Sequence, residues 1–338
     1  MNKSIVHRTS SLRTFFDSNA LWLSMLIGAV GYKLFLPLKP TLPWLIFFML
    51  FFTFCKVNPL DLRLHKWHGV VLVLQIFLAV SVYYITMALT NNPVLAQGLL
   101  MCFIMPTATA APIIAGKLGG SIQNLTTFTL LSNFATSLIV PALFPLINPS
   151  VNLSFWPAFL LILSRIAPLL LVPFLAAWLL RIIYQKRTKK EFVLSTKSAV
   201  IPFYLWVASI IVLFATVTET VVSNYQVQIT NILILLVSSF FACLLQFGLG
   251  KLIGYKMPAP SKGRDYQDVL VNPAAAPTTM AGVSSITAGQ AFGQKNTSLG
   301  VWMAQTYLNP LAALGAAAYI IWQNIFNSVQ LFLAARKK

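Results

Sequence analysis

A lysine stands in an apolar setting near the end of the chain. The run Gly293-Gln294-Lys295-Asn296-Thr297 is polar, and an apolar stretch abuts it directly. An ammonium this deep in hydrocarbon needs a partner or an anionic substrate. If the run breaks a helix, Gln294, Lys295, Asn296 and Thr297 sit where half-helix ends converge, and a helix N-terminus at that point favours an anion. Arg165 is a second deep cation, ten residues into the apolar run that begins at Phe155. An anion site and a carbonyl-bonded structural role fit it equally.

A second interruption lies in Met105-Pro106-Thr107-Ala108-Thr109-Ala110-Ala111-Pro112. Its two prolines each delete a backbone donor and crowd the preceding turn, so one helix cannot run through it. Thr109 and Pro112 are therefore candidate wall residues. Downstream, Thr126, Thr129, Asn133 and Ser137 are spaced three, four and four apart and share one helical face. Gln323, Asn327 and Gln330 form a similar stripe near the C-terminus. Singly, such residues read as interhelical hydrogen bonds of about 0.6 kcal/mol each. As matched stripes beside two broken helices, they read as the lining of a cavity.

The missing groups narrow the chemistry. The six acids, Asp17, Asp61, Glu191, Glu219, Asp265 and Asp268, all fall at or outside the ends of the apolar segments. Cation pathways and proton relays usually display an intramembrane carboxylate. There is no phosphate loop, no His and carboxylate zinc set and no Ser-His-Asp arrangement, and the three His (His7, His65, His68) lie in segments expected to be cytoplasmic. An enzyme is not expected. Cys55, Cys102 and Cys243 lack metal or redox spacing and read as small core residues.

The elements that must position these residues follow from composition. Of 338 residues, 58% are hydrophobic and 9% charged, against roughly 25% charged in a soluble globule. Several apolar runs of 18 or more residues are long enough to cross a bilayer. The net charge of +18 would suggest nucleic acid in a soluble protein. Here the cations gather in separate connections, at 56–66, 181–197 and 251–264 and at both termini, and alternate with nearly neutral turns. That is the positive-inside pattern, with a lipid bilayer rather than nucleic acid as partner. Trp22, Trp44, Trp67, Tyr83, Tyr84 and Trp156 are expected as interfacial anchors.

The expected fold is all-α, with ten spans near 20–37, 42–55, 67–89, a broken pair 95–105 and 107–118, 122–147, 155–183, 198–220, 228–255, a second broken pair 284–294 and 297–307, and 311–335. Residues 1–150 and 151–338 then form two inverted five-helix repeats with broken helices 4 and 9, and both termini are cytoplasmic. Interrupted helices are tolerated at membrane depth only around a cavity, which points to a transporter. The first 18 residues read as an uncleaved start. Residues 263–285 fit neither a tight turn nor a span, and are expected as a loop or re-entrant piece.

The run GQKNTSLGVWMAQTYLNPLAALGAAAYIIWQNIFNSVQLFLAARK from Gly293 to Lys337, together with Met105 to Ile147, resembles the last two helices and the fourth and fifth helices of bacterial bile acid:sodium symporters. The resemblance implies a panel domain of helices 1, 2, 6 and 7, a core domain of helices 3–5 and 8–10, an organic anion beside the crossed broken helices, and alternating access in a bacterial inner membrane. It also implies two sodium sites. Carried over residue by residue, only Gln75 and Thr129 match. The family's Ser-Asn pair falls on Ala111 and Pro112, one hydroxyl on Leu125, the acid on Ala291, and the crossover Gln on Lys295. The sodium sites are thus degraded, and removing a carboxylate while adding an ammonium disfavours sodium by several kcal/mol at low effective dielectric. The expectation is a secondary transporter of a small organic anion without a resident cofactor. Lys295 replaces a cation, and transport is sodium-independent or proton-linked. A sodium-dependent symporter follows instead if the register near Gly293 slips, and a non-transporting sensor or scaffold with the same fold is the competing class.

Overall fold

The computed structural model describes residues 19–59, 62–148, 153–190, 200–258 and 279–336, with 192, 194, 195 and 198. Apart from one isolated bridge, regular secondary structure among these residues is helical. Among the described residues six stretches are long and apolar enough to cross a bilayer. Large apolar side chains such as Leu34, Phe77, Leu89 and Trp156 stand exposed on the surface, where water would penalise them and lipid does not. The chain is an all-α, membrane-embedded protein.

Helix α1 (Asn19–Val30) is followed by the short α2 (Tyr32–Phe35), and a 3-10 segment (Leu36–Thr41) containing Pro37 and Pro40 leads into α3 (Leu42–Phe54). Helix α4 (Lys66–Thr90) ends on Asn91 in the left-handed region, and Asn92 caps α5 (Pro93–Ile104) through Val94 N and Leu95 N. A left-handed Asn and an N-capping Asn ahead of a proline make a compact reversal. Then come α6 (Ala111–Lys117), α7 (Ile122–Ile147) capped by Ser121, α8 (Phe155–Thr188), α9 (Ile201–Lys256), α10 (Met280–Gly293) capped by Thr279, α11 (Thr297–Tyr307) capped by Asn296, and α12 (Ala313–Arg336).

Three boundaries differ from the sequence expectation. The span expected over 20–37 is interrupted at Gly31 and tightens into a 3-10 segment, because Pro37 and Pro40 withhold backbone donors. Of the two spans expected over 198–220 and 228–255, the first runs on to 226: the apolar stretches are Ile201–Gln226 and Ile229–Lys256, both within the helical segment α9. Phe247 packs against Gly293, and Trp206 lines the same cavity as Lys295. On a straight helix those two aromatics would be about 60 Å apart, so the two stretches fold back beside each other. Third, α10 begins at Met280 rather than 284, and of the 263–285 segment the residues before 279 lie outside the described residues.

Two expected anchors are core residues instead. Trp67 is 1% exposed and stacks on Phe128, and Tyr83 is buried with its hydroxyl donating to Ile147 O at 3.1 Å. Their position near a helix end suggested the interface, but neighbouring helices cover that end. Close approach between helices is set by glycine. A Cβ at Gly254 would lie 2.1 Å from Ser284 O and one at Gly250 2.4 Å from Ala288 O, so α9 and α10 are nearly in backbone contact. Gly250 and Gly254 form a small-xxx-small stripe, the signal for such packing in lipid.

Candidate functional site

The two interrupted helices meet at their breaks. Residues 105–108 and 294–296 run antiparallel past one another through a bridge between Thr107 and Lys295. Ala108 N donates to Gln294 O at 2.9 Å, and Asn296 N donates to Pro106 O at 2.8 Å. Both breaks lie where the sequence places them. Each leaves helix-end groups without intrahelical partners, which in hydrocarbon is a penalty of several kcal/mol per group.

Those groups are accounted for almost one by one. At the C-terminal end of α5, Cys102 O accepts from Gln246 Nε2 (3.1 Å) and Phe103 O from Lys295 Nζ (3.2 Å). Ile104 O and Met105 O both accept from Gln75 Nε2 (3.4 and 3.0 Å). At the end of α10, Ala291 O accepts from Thr107 Oγ1 (2.7 Å) and Gly293 O from the Tyr319 hydroxyl (2.8 Å). Thr107 N donates to Ser132 Oγ (2.9 Å). A single amide on α12 holds the second break: Gln323 Oε1 accepts from Lys295 N at 2.9 Å, and Gln323 Nε2 donates to Lys295 O at 3.3 Å.

Lys295 is 1% exposed. Besides the Phe103 carbonyl, its ammonium has the Phe292 ring, 5.1 Å from the centroid. It therefore sits at the C-terminal end of α5, where the helix dipole favours a cation. Among the described residues no salt-bridge partner accompanies it, and the one described acid, Glu219, is bonded instead by Ser223 Oγ at 3.3 Å.

A cavity of about 460 Å³ opens beside the crossing. One wall is the two breaks, 108–110 with Pro112 and 294–298. Thr126 of α7 and Ile320, Gln323 and Asn324 of α12 extend it; Met49 and Thr53 face in from α3, Lys56 from just beyond its end, and Phe203, Trp206 and Ile210 from α9. Lys56 is exposed, and partial burial lowers its pKa from the ordinary lysine value.

Of the residues singled out from sequence, Gln294, Lys295, Asn296, Thr297, Thr109 and Pro112 come together on this cavity. Gln75 is nearby but buried, and its amide is used on the first break. Thr129 and Asn133 are buried away from the lining: Thr129 Oγ1 donates to Leu125 O (2.9 Å) and Asn133 Nδ2 to Thr129 O (2.7 Å). Arg165 is exposed on α8, interacts with Tyr307 and does not line the cavity. Of the two polar stripes, Thr126 and Gln323 reach the cavity, while Asn327 accepts from Gln290 Nε2 at 3.2 Å. Sequence reasoning missed Gln246 and Tyr319, which serve the breaks from distant helices and carry no local signal. It read Lys56 only as a topology residue.

No family model matches the chain, and no curated protein matches it.

Proposed function

We propose that this chain is a secondary transporter of a small organic anion, working by alternating access, in which Lys295 stands where a coupling cation would otherwise bind. The observation that carries the proposal is the crossing of two interrupted helices beside a cavity. Irregular backbone at membrane depth is tolerated where it lines a cavity, and half-helix carbonyl ends are where transporters hold coupling cations. The ammonium of Lys295 occupies such an end at Phe103 O.

The reading takes α1 to α7 and α8 to α12 as inverted five-span halves, with the folded-back α9 supplying two spans. The broken pairs α5/α6 and α10/α11 are equivalent fourth helices. The panel of spans 1, 2, 6 and 7 then moves against the core that holds the crossing, and the cavity lies between them. Lys56 and the start of α9, which follows the basic linker, both belong to connections rich in cations. By the positive-inside rule the cavity then faces the cytoplasm, in a bacterial inner membrane with both termini on that side. The division into panel and core is what the resemblance to bile acid:sodium symporters implies.

Proteoliposomes given a pool of labelled carboxylates and sulfonates test the proposal. Accumulation above protein-free vesicles, competed by excess unlabelled acid, is expected. Neither uptake nor binding of any anion would instead indicate a sensor or scaffold.

A further inference from the structure

The cavity offers an anion one place. Thr297 and Ser298, at the N-terminal end of α11, line the wall beside Asn296. Asn296 is 5% exposed, its Oδ1 caps Leu299 N at 3.2 Å, and its Nδ2 has no hydrogen-bond partner. A helix N-terminus with a spare buried donor next to it suits an anionic oxygen. Neither lysine of the lining adds a second place. The ammonium of Lys295 is directed to the Phe103 carbonyl, and Lys56 has an interaction of its own. A ligand with a single anionic group is therefore enough, and its remainder meets the apolar part of the lining.

That part carries the second observation. Phe203 and Trp206, three residues apart on α9, share one helical face and are the aromatic side chains of the lining. Their ring centroids lie 6.1 Å apart, with the planes tilted by 38°. Both are half-buried, and among the described residues their ring contacts stay within α9: with each other, and for Phe203 with Tyr204. The first break presents small side chains to the same cavity, Ala108, Thr109 and Ala110. Aromatic pairs gain beyond the area they bury. Two rings with no aromatic partner across the cavity thus prefer an aromatic body to a saturated one of the same skeleton.

We infer that the ligand of this cavity is an aryl monoanion, an aromatic ring against Phe203 and Trp206 bearing one carboxylate or sulfonate at the α11 N-terminus. This rests on the cavity being the transport site and names the substrate class of that reading. It also makes Trp206, the larger of the two rings, a specificity-determining residue.

The test compares benzenesulfonate with cyclohexanesulfonate, which share a ring skeleton and stay ionised, by binding to the full chain in nanodiscs and by uptake into proteoliposomes. Apolar burial alone does not favour the aromatic member, because the saturated ring is the larger and less polar. Wild type is expected to favour benzenesulfonate at least threefold. Trp206→Leu is expected to bring the two acids toward parity and Trp206→Phe to keep most of the preference, with melting curves confirming that each variant is folded. Phe203→Leu repeats the comparison at the smaller ring, and the wild-type ratio is read without any variant. Equal or reversed preference in wild type, or an undiminished preference in folded variants lacking either ring, overturns the inference. Uptake of saturated acids, cholate included, without binding of benzenesulfonate overturns it while keeping the transport reading. Uptake and binding of neither sulfonate, and of nothing in the broader acid pool, overturns both.

Discussion

Replacing Gln323 with leucine removes the one side chain that clamps both backbone groups of Lys295. The residue is 6% exposed, and its amide makes hydrogen bonds of 2.9 and 3.3 Å to the Lys295 N–H and C=O. Two hydrogen bonds in a membrane protein at about 0.6 kcal/mol each set the floor. Leaving a buried N–H and a buried C=O unsatisfied, at about 1–3 kcal/mol each, sets the ceiling. The expected loss is therefore about 1–6 kcal/mol. At roughly 2 °C per kcal/mol for a chain of this size, melting falls by about 2–12 °C. Water from the adjoining cavity moves the value toward the lower end. Gln330→Leu, half-buried on the same helix, is the control and should melt within a degree or so of wild type. The assay is thermal unfolding of the purified protein in one detergent. Equal melting of Gln323→Leu and Gln330→Leu would refute the idea that side chains, not the breaks themselves, hold the crossing.

Lys295→Met should behave in the opposite way. The ammonium gains about 1.5–3 kcal/mol from a charged hydrogen bond and up to about 2 from the Phe292 ring, against a desolvation penalty of several kcal/mol. Fold stability is expected to stay within about 2 kcal/mol of wild type while transport is lost; a collapse in melting would mark Lys295 as a structural residue. Gly254→Ala places a methyl 2.1 Å from Ser284 O, so α9 and α10 must separate. A loss of about 1–3 kcal/mol is expected, read as reduced melting, whereas the same change at Gly69, which has open space around it, should not lower it.

The parts of the fold legible in the sequence were those set by local chemistry. Pro106 and Pro112 cannot sit in one helix, and the polar run at Gln294 to Thr297 cannot face lipid, so both breaks and six of the cavity's wall residues followed directly. Helix limits marked by capping Asn, Ser and Thr were also within reach. What the sequence left open depends on neighbours. Trp67 and Tyr83 have the composition of interfacial anchors but are covered by α7, and Thr129 and Asn133 share a face with Thr126 yet lie buried away from the cavity that Thr126 lines. Gln246 and Tyr319 are unremarkable residues in apolar helices until the carbonyls they serve are brought to them. The reach of the first stretch of α9 to Gln226 was hidden because Glu219 to Gln228 reads as a polar turn. The Gly250 and Gly254 pair was a signal present in the sequence and overlooked.

The most direct test of the account is the sodium dependence of anion uptake. Initial uptake into proteoliposomes is measured with sodium on the outside and with sodium replaced by potassium, for wild type and for Lys295→Gln. The account predicts equal wild-type rates in the two salts, with Lys295→Gln inactive or newly dependent on sodium. Wild-type uptake that requires sodium would contradict it: the cation would then have a site of its own, and Lys295 would not be its replacement.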